Sequence, residues 1–153
     1  MTYLLDVNAL LAFRYATHVH YERVRKWLEG RREAERDGLL LATCSITELG
    51  FVRVATGPAR LATQVGAACA ELTRLKRDRR CIFLGDPIGA EHLPSWVLKS
   101  DQTTDGHLLQ LASAYGAALA TLDKGIPGAL LIPEVPCDAN RVSEPRFNYG
   151  TAA

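Results

Sequence analysis

The sequence holds no Cys-x-x-Cys pair. Its four cysteines, Cys44, Cys69, Cys81 and Cys137, lie far apart, which argues against a thiolate zinc site or a redox motif and reads as reduced thiols, the first three buried. The four histidines, His18, His20, His92 and His107, show no ligand spacing with one another, and His107 is expected on the open side of its helix. No stretch approaches the ~20 apolar residues of a membrane span. The N-terminal apolar run has no basic leader and is broken by Asp6 and Arg14, so the expected setting is soluble and cytoplasmic. Neither sign of charge is in excess: 18 basic and 17 acidic residues give a net +1, and an argument for a nucleic-acid partner must therefore be local. Also missing are the G-x-x-x-x-G-K-[ST] loop, the G-x-S-x-G elbow and the G-x-G-x-x-G fingerprint, so neither a bound nucleotide cofactor nor a covalent serine nucleophile is indicated.

What is present is enough apolar matter for one core. Of 153 residues, 48% are hydrophobic and 23% charged, which fits a single domain. That domain is expected over residues 1–132, followed by an irregular tail over 133–153 that contains Pro, Asn and Gly and has little periodicity. Short apolar runs at Tyr3–Leu5, Leu39–Thr43, Cys81–Leu84, Ala117–Leu122 and Ala129–Ile132 read as strands buried on both faces. Between them lie helical patterns. Asn8 is placed to cap a short helix through Tyr15, and a longer one carries Tyr21, Val24, Trp27 and Leu28 on one face. Ser45-Ile46-Thr47-Glu48 has capping-box spacing, which would give Glu48 a purely structural job. From Ala59 a long helix bears Leu61, Val65, Ala68, Leu72 and Leu75 and ends in the basic run Arg74–Arg80, whose charges suit a helix C-terminus. Thr103 is the expected cap of a helix carrying Leu108, Leu111 and Ala112, with Gly116 closing it. Strands alternating with helices give an α/β, three-layer sandwich with a mainly parallel central sheet.

In that topology Asp6 and Asp123 leave the carboxyl ends of two strands, and Glu48 and Asp105 sit in the first turns of helices that follow strands. All four can face one crevice at the carboxyl edge of the sheet, where such folds place ligands. Gathered carboxylates repel one another and raise each other's pKa, so they call for a cation or a shared proton. Mg²⁺ or Mn²⁺ is the natural partner for carboxylates and water, and such an ion supports in-line attack on a phosphodiester. Asn8, Ser45 and Thr121 lie beside the acids; orienting them and ordinary capping or turn chemistry are both open to these three.

Four segments in order carry a resemblance: Asp6-Val7-Asn8-Ala9-Leu10-Leu11, Ser45-Ile46-Thr47-Glu48-Leu49-Gly50-Phe51-Val52-Arg53-Val54, Thr104-Asp105-Gly106-His107-Leu108-Leu109-Gln110-Leu111-Ala112, and Ala120-Thr121-Leu122-Asp123-Lys124-Gly125. They resemble the PIN-domain ribonucleases and, more narrowly, the VapC-type toxins of bacterial toxin–antitoxin modules, over roughly Tyr3 to Ile132. The resemblance implies a metal-dependent RNA endonuclease with Asp6, Glu48, Asp105 and Asp123 as its acids. It also implies a homodimer and a small antitoxin partner that blocks the acidic groove. Gly106 departs from the Ala usual after the third acid. Two other readings compete: a receiver-like signalling domain, and a PIN-like fold that binds RNA or a partner without cleaving. A receiver needs an acid at the end of a middle strand, but the third strand ends Phe83-Leu84-Gly85. The presence of all four acids argues against a decayed site.

Overall fold

Tyr3 and Leu5 point to one face of β1 (Thr2–Leu5) and Leu4 to the other, and all three are buried. The computed structural model describes residues 1–58 and 63–135, and in it β1 is the middle of a five-stranded sheet whose pairings are all parallel. On one side β1 pairs with β2 (Leu40–Thr43), which pairs with β3 (Cys81–Phe83). On the other it pairs with β4 (Ala118–Thr121), which pairs with β5 (Leu130–Leu131). The order β3-β2-β1-β4-β5 places a topological switch between β1 and β4, and a crevice outside the strand ends is expected there.

Four helices cover the Tyr3 and Leu5 face: α1 (Val7–Arg14), α2 (Tyr21–Glu35), α3 (Ser45–Thr56) and α4 (Val65–Lys76). They bury Leu10, Leu28, Phe51 and Leu72 against it, each large apolar side chain stabilising the fold by ~1.5–3 kcal/mol. The Leu4 face is closed by α5 (Thr103–Ala114) through Leu108 and Leu111, with Leu84 from the segment after β3. These are the three layers expected from the alternating pattern. Trp27 is a core residue, its ring meeting Tyr3 edge-on at 5.3 Å. No helix among the described residues is long and apolar enough to cross a membrane.

Helix starts differ from expectation: α4 begins at Val65, α5 has Thr103 as its first residue with Gln102 in the cap position, and two caps are reassigned. α1 is capped by Asp6, not Asn8: Asp6 is extended, its Oδ1 accepts the Ala9 N–H at 2.6 Å, and Asn8 falls inside the first turn, exposed. A carboxylate already at the strand end reaches the third helical N–H, so no later cap is needed. α3 begins one residue early, after Cys44. Thr47 Oγ1 accepts the Cys44 N–H at 3.0 Å and donates to the Cys44 carbonyl at 3.1 Å, leaving Ser45 exposed and Glu48 free of any capping duty. Among the described cysteines only Cys44 is fully buried; Cys69 sits on the solvent side of α4 and Cys81 is half-buried. Leu61, Cys137 and residues 136–153 of the expected tail lie outside the described residues.

α5 shows why Gly106 stands where Ala was expected. A methyl group there would run into Val97 and lie 3.2 Å from Pro94, because the 94–98 segment packs directly on the helix. Gly106→Ala should therefore lower stability by ~1–3 kcal/mol through overpacking instead of gaining ~1 kcal/mol of helix propensity; urea denaturation of the two proteins measures the sign. His107 corrects a second expectation. It is buried, with Nε2 2.6 Å from Asp86 Oδ2, and it shares a face with Leu111 one turn on, a spacing that would have placed it correctly. Gly116 ends the helix as expected, at φ +62°, with the Ala117 N–H on the Ala112 carbonyl at 2.8 Å and the Gly116 N–H on Ser113 at 3.0 Å.

Candidate active site

Asp6 continues the β1–β4 ladder by one step, donating its N–H to the Ala120 carbonyl at 3.1 Å, and this fixes its side chain over the switch point. Both carboxylate oxygens are held. Oδ1 takes the Ala9 N–H, and Oδ2 takes the Thr121 hydroxyl at 2.5 Å. Burial pushes the Asp6 carboxyl up; the Thr121 and Ala9 hydrogen bonds oppose that, and the charge of Asp123 adds to it. Thr121, fully buried at the end of β4, also accepts the Asp123 N–H on its hydroxyl at 2.9 Å. One hydroxyl thus ties the first and last acids of the crevice together, which is the orienting role considered for it.

Asp105, in the first turn of α5, faces the same place from above. Its carboxyl is raised to about 6, first by burial and then by the charges of Asp6, Asp123 and Asp101. Asp101 lies before the helix in a short 3₁₀ turn and is exposed. Asp123 is exposed, and its Oδ1 accepts the Gly125 N–H at 2.7 Å, so it makes a turn as well as facing the other two. Among the described residues no Lys or Arg forms an ion pair with Asp6, Asp105 or Asp123. Nor, as they stand, do any three His, Cys, Asp or Glu side chains gather tightly enough to hold a metal ion.

Glu48 is turned elsewhere. It accepts the Thr43 hydroxyl at 2.7 Å, and Lys76 Nζ lies 2.7 Å from one of its oxygens and 2.9 Å from the other. The same ammonium sits 4.6 Å from the Phe83 ring centroid. The structure therefore brings Asp6, Asp105 and Asp123 into one field and leaves Glu48 one strand over, neutralised by the basic run that ends α4. Ser45 is exposed on the helix above. Asn8 lines a cavity of about 500 Å³ with Asp123, and His18, His20 and Lys124 share that cavity. Neither histidine was read as part of a site; the signal was the His-x-His spacing in the loop after α1.

No family model matches the chain. Curated proteins do. Over 127 residues the chain is 39% identical to Ribonuclease VapC38 of Mycobacterium tuberculosis (strain ATCC 25618 / H37Rv), covering 80% of this chain and 86% of that protein. It is 36% identical to Ribonuclease VapC44 of the same strain over 142 residues, with 84% and 94% covered, and 33% identical to Ribonuclease VapC29 over 139 residues, with 87% and 98% covered.

Proposed function

Because the chain belongs to the VapC ribonucleases, PIN-domain toxins of toxin–antitoxin modules, we propose that it hydrolyses RNA phosphodiester bonds at the crevice of Asp6, Asp105 and Asp123 with Mg²⁺ or Mn²⁺. The observation that carries this is the Asp105 carboxyl, raised to about 6 by burial and then by the charges of Asp6, Asp123 and Asp101, beside an Asp6 carboxyl that burial and Asp123 also push up, with no Lys or Arg paired to these acids among the described residues. A site of oxygen donors with uncompensated charge suits a hard cation. Mg²⁺ commonly takes only one or two carboxylates and completes its shell with water, so a cage of three protein ligands is not required. When bound, the ion supplies charge neutralisation and a more acidic water. The chain's own part is positional. Thr121 and the first turn of α1 fix Asp6, and α5 presents Asp105 opposite the strand ends. Glu48 enters this reading as a fourth acid that exchanges Lys76 for the crevice when substrate and ion arrive.

Residues 1–132 form the nuclease unit in this reading. The partners are RNA, a cognate antitoxin protein that blocks the crevice, and a second copy of the chain as a homodimer, in the cytoplasm. Incubating the purified protein with pooled RNA tests the activity. We expect cleavage with Mg²⁺ or Mn²⁺ and none with EDTA; no cleavage with either ion, or undiminished cleavage in EDTA, overturns the reading.

A further inference from the structure

The cavity that Asp123 lines runs away from the other acids toward the loop after α1. Its volume of about 500 Å³ lies within the range of small-ligand sites, and one nucleotide fits it. It opens between Asn8, whose N–H also reaches the Asp6 carboxylate, and the loop His18-Val19-His20. That loop is braced on both sides: His18 donates its N–H to the Tyr15 carbonyl at 2.9 Å, Tyr21 donates to the His18 carbonyl at 2.9 Å, and Val24 donates to the His20 carbonyl at 3.1 Å. The imidazoles are therefore presented in place, at 5.8 Å between centroids and tilted by 46°. His18 Nδ1 accepts the His20 backbone N–H at 3.1 Å. A backbone N–H can only donate, so the neutral His18 ring carries its proton on Nε2. Between the rings Val19 is 85% exposed.

Flat heteroaromatic faces with an exposed apolar residue between them suit an unstacked base; an amide and an ammonium suit base edges and phosphate oxygens. Lys124 meets Glu134 at 3.0 Å with both side chains largely exposed, and such pairs exchange readily for another anion. The wall is shared with Asp123, so an occupant here is continuous with whatever lies over the acids. We propose that the His18-Val19-His20 loop, with Asn8 and Lys124, is the subsite for the nucleotide flanking the scissile phosphate of single-stranded RNA. This rests on the ribonuclease reading and deepens it by naming what holds the substrate.

The test measures binding apart from cleavage: anisotropy of a labelled single-stranded oligoribonucleotide pool in EDTA, with Mn²⁺ titration calorimetry as a control for the acids. His18→Ala/His20→Ala should weaken RNA binding at least tenfold with Mn²⁺ binding unchanged, while His20→Phe, which keeps a flat ring, stays within about threefold of wild type. Lys124→Gln, on a largely exposed side chain, should weaken binding severalfold and flatten its salt dependence by about one phosphate; it serves even where the double variant folds poorly. Wild-type protein that binds RNA but cleaves none with any ion sinks the nuclease reading and the placement beside a scissile phosphate, while the variants' binding still decides whether this loop holds RNA. Equal RNA binding by wild type, the double variant and Lys124→Gln overturns the subsite, as does a wild type that binds no RNA.

Discussion

Asp6→Asn lowers metal-dependent RNA cleavage by about 10³-fold, the loss expected when ~4 kcal/mol of transition-state electrostatics is removed, yet it leaves the fold standing. Asp6 has two separable jobs. As a cap its Oδ1 receives the Ala9 N–H at 2.6 Å, and an amide oxygen performs that as well as a carboxylate. On its other side the Thr121 hydroxyl, which now donates to Oδ2, can turn to accept from an amide nitrogen instead. What the substitution removes is the negative charge that faces Asp105 and Asp123. Asp6→Ala removes the cap as well, and should cost about 1 kcal/mol more stability than Asp6→Asn. Initial cleavage rates and urea midpoints for the three proteins separate the effects. Wild-type rates in Asp6→Asn would take this residue out of the site.

The second large effect is on pH dependence. Asp105 titrates at about 6 against an ordinary value of 3.8, so below pH 6 a metal ion must displace its proton, and affinity should fall about tenfold per pH unit. Above pH 6 the carboxylate is already ionised and affinity levels off. The metal-free protein runs the other way. A carboxyl whose folded-state pKa is raised contributes stability that is fully present below the unfolded pKa and is lost as pH rises through the folded one, here between about 4 and 6. Burial of Asp6 pushes in the same direction. In a dry site the move from 3.8 to about 6 would be worth ~3 kcal/mol; at this half-buried carboxyl solvent screening leaves about 1 kcal/mol. Melting curves from pH 5 to 8 should show the metal-free midpoint falling until just above pH 6 and then levelling, and the rise with saturating Mg²⁺ or Mn²⁺ growing over the same interval and then holding steady. Asp105→Asn flattens both trends and abolishes cleavage. Asp101→Asn, at an exposed position that contributes the smallest of the charges raising Asp105, keeps most activity. The reverse pattern, with Asp101→Asn inactive and Asp105→Asn active, would reassign the acid of this motif.

The strands were readable because they are short apolar runs covered on both faces, and the places of two of the acids follow from where those runs stop. Tyr3-Leu4-Leu5 ends on Asp6, and Ala118–Thr121 is followed two residues later by Asp123. The capping errors came from the same local reading. Asn8 and the Ser45–Glu48 pair are good caps in isolation, but Asp6 and Thr47 stood closer to the groups that needed them. Other misses were non-local. Lys76 holds Glu48 from 28 residues away, and the crowding at Gly106 comes from Val97 and Pro94; neither follows from a helical pattern. His18 and His20 were passed over because they were tested only for spacing as metal ligands, not as ring faces for a base.

The switch between β1 and β4 also governs when danger begins. Asp6 is among the first residues made, but the Thr121 hydroxyl that holds it, and Asp105 and Asp123 that face it, come roughly a hundred residues later. During synthesis at ~5–20 residues per second, a nascent chain can build β1, α1 to α4, β2 and β3 and still have no acidic crevice. Only when β4 slots in beside β1, a distant parallel pairing that forms late, do the carboxylates meet. A ribosome translating this chain is thus spared its product until β4 has been made and has paired with β1.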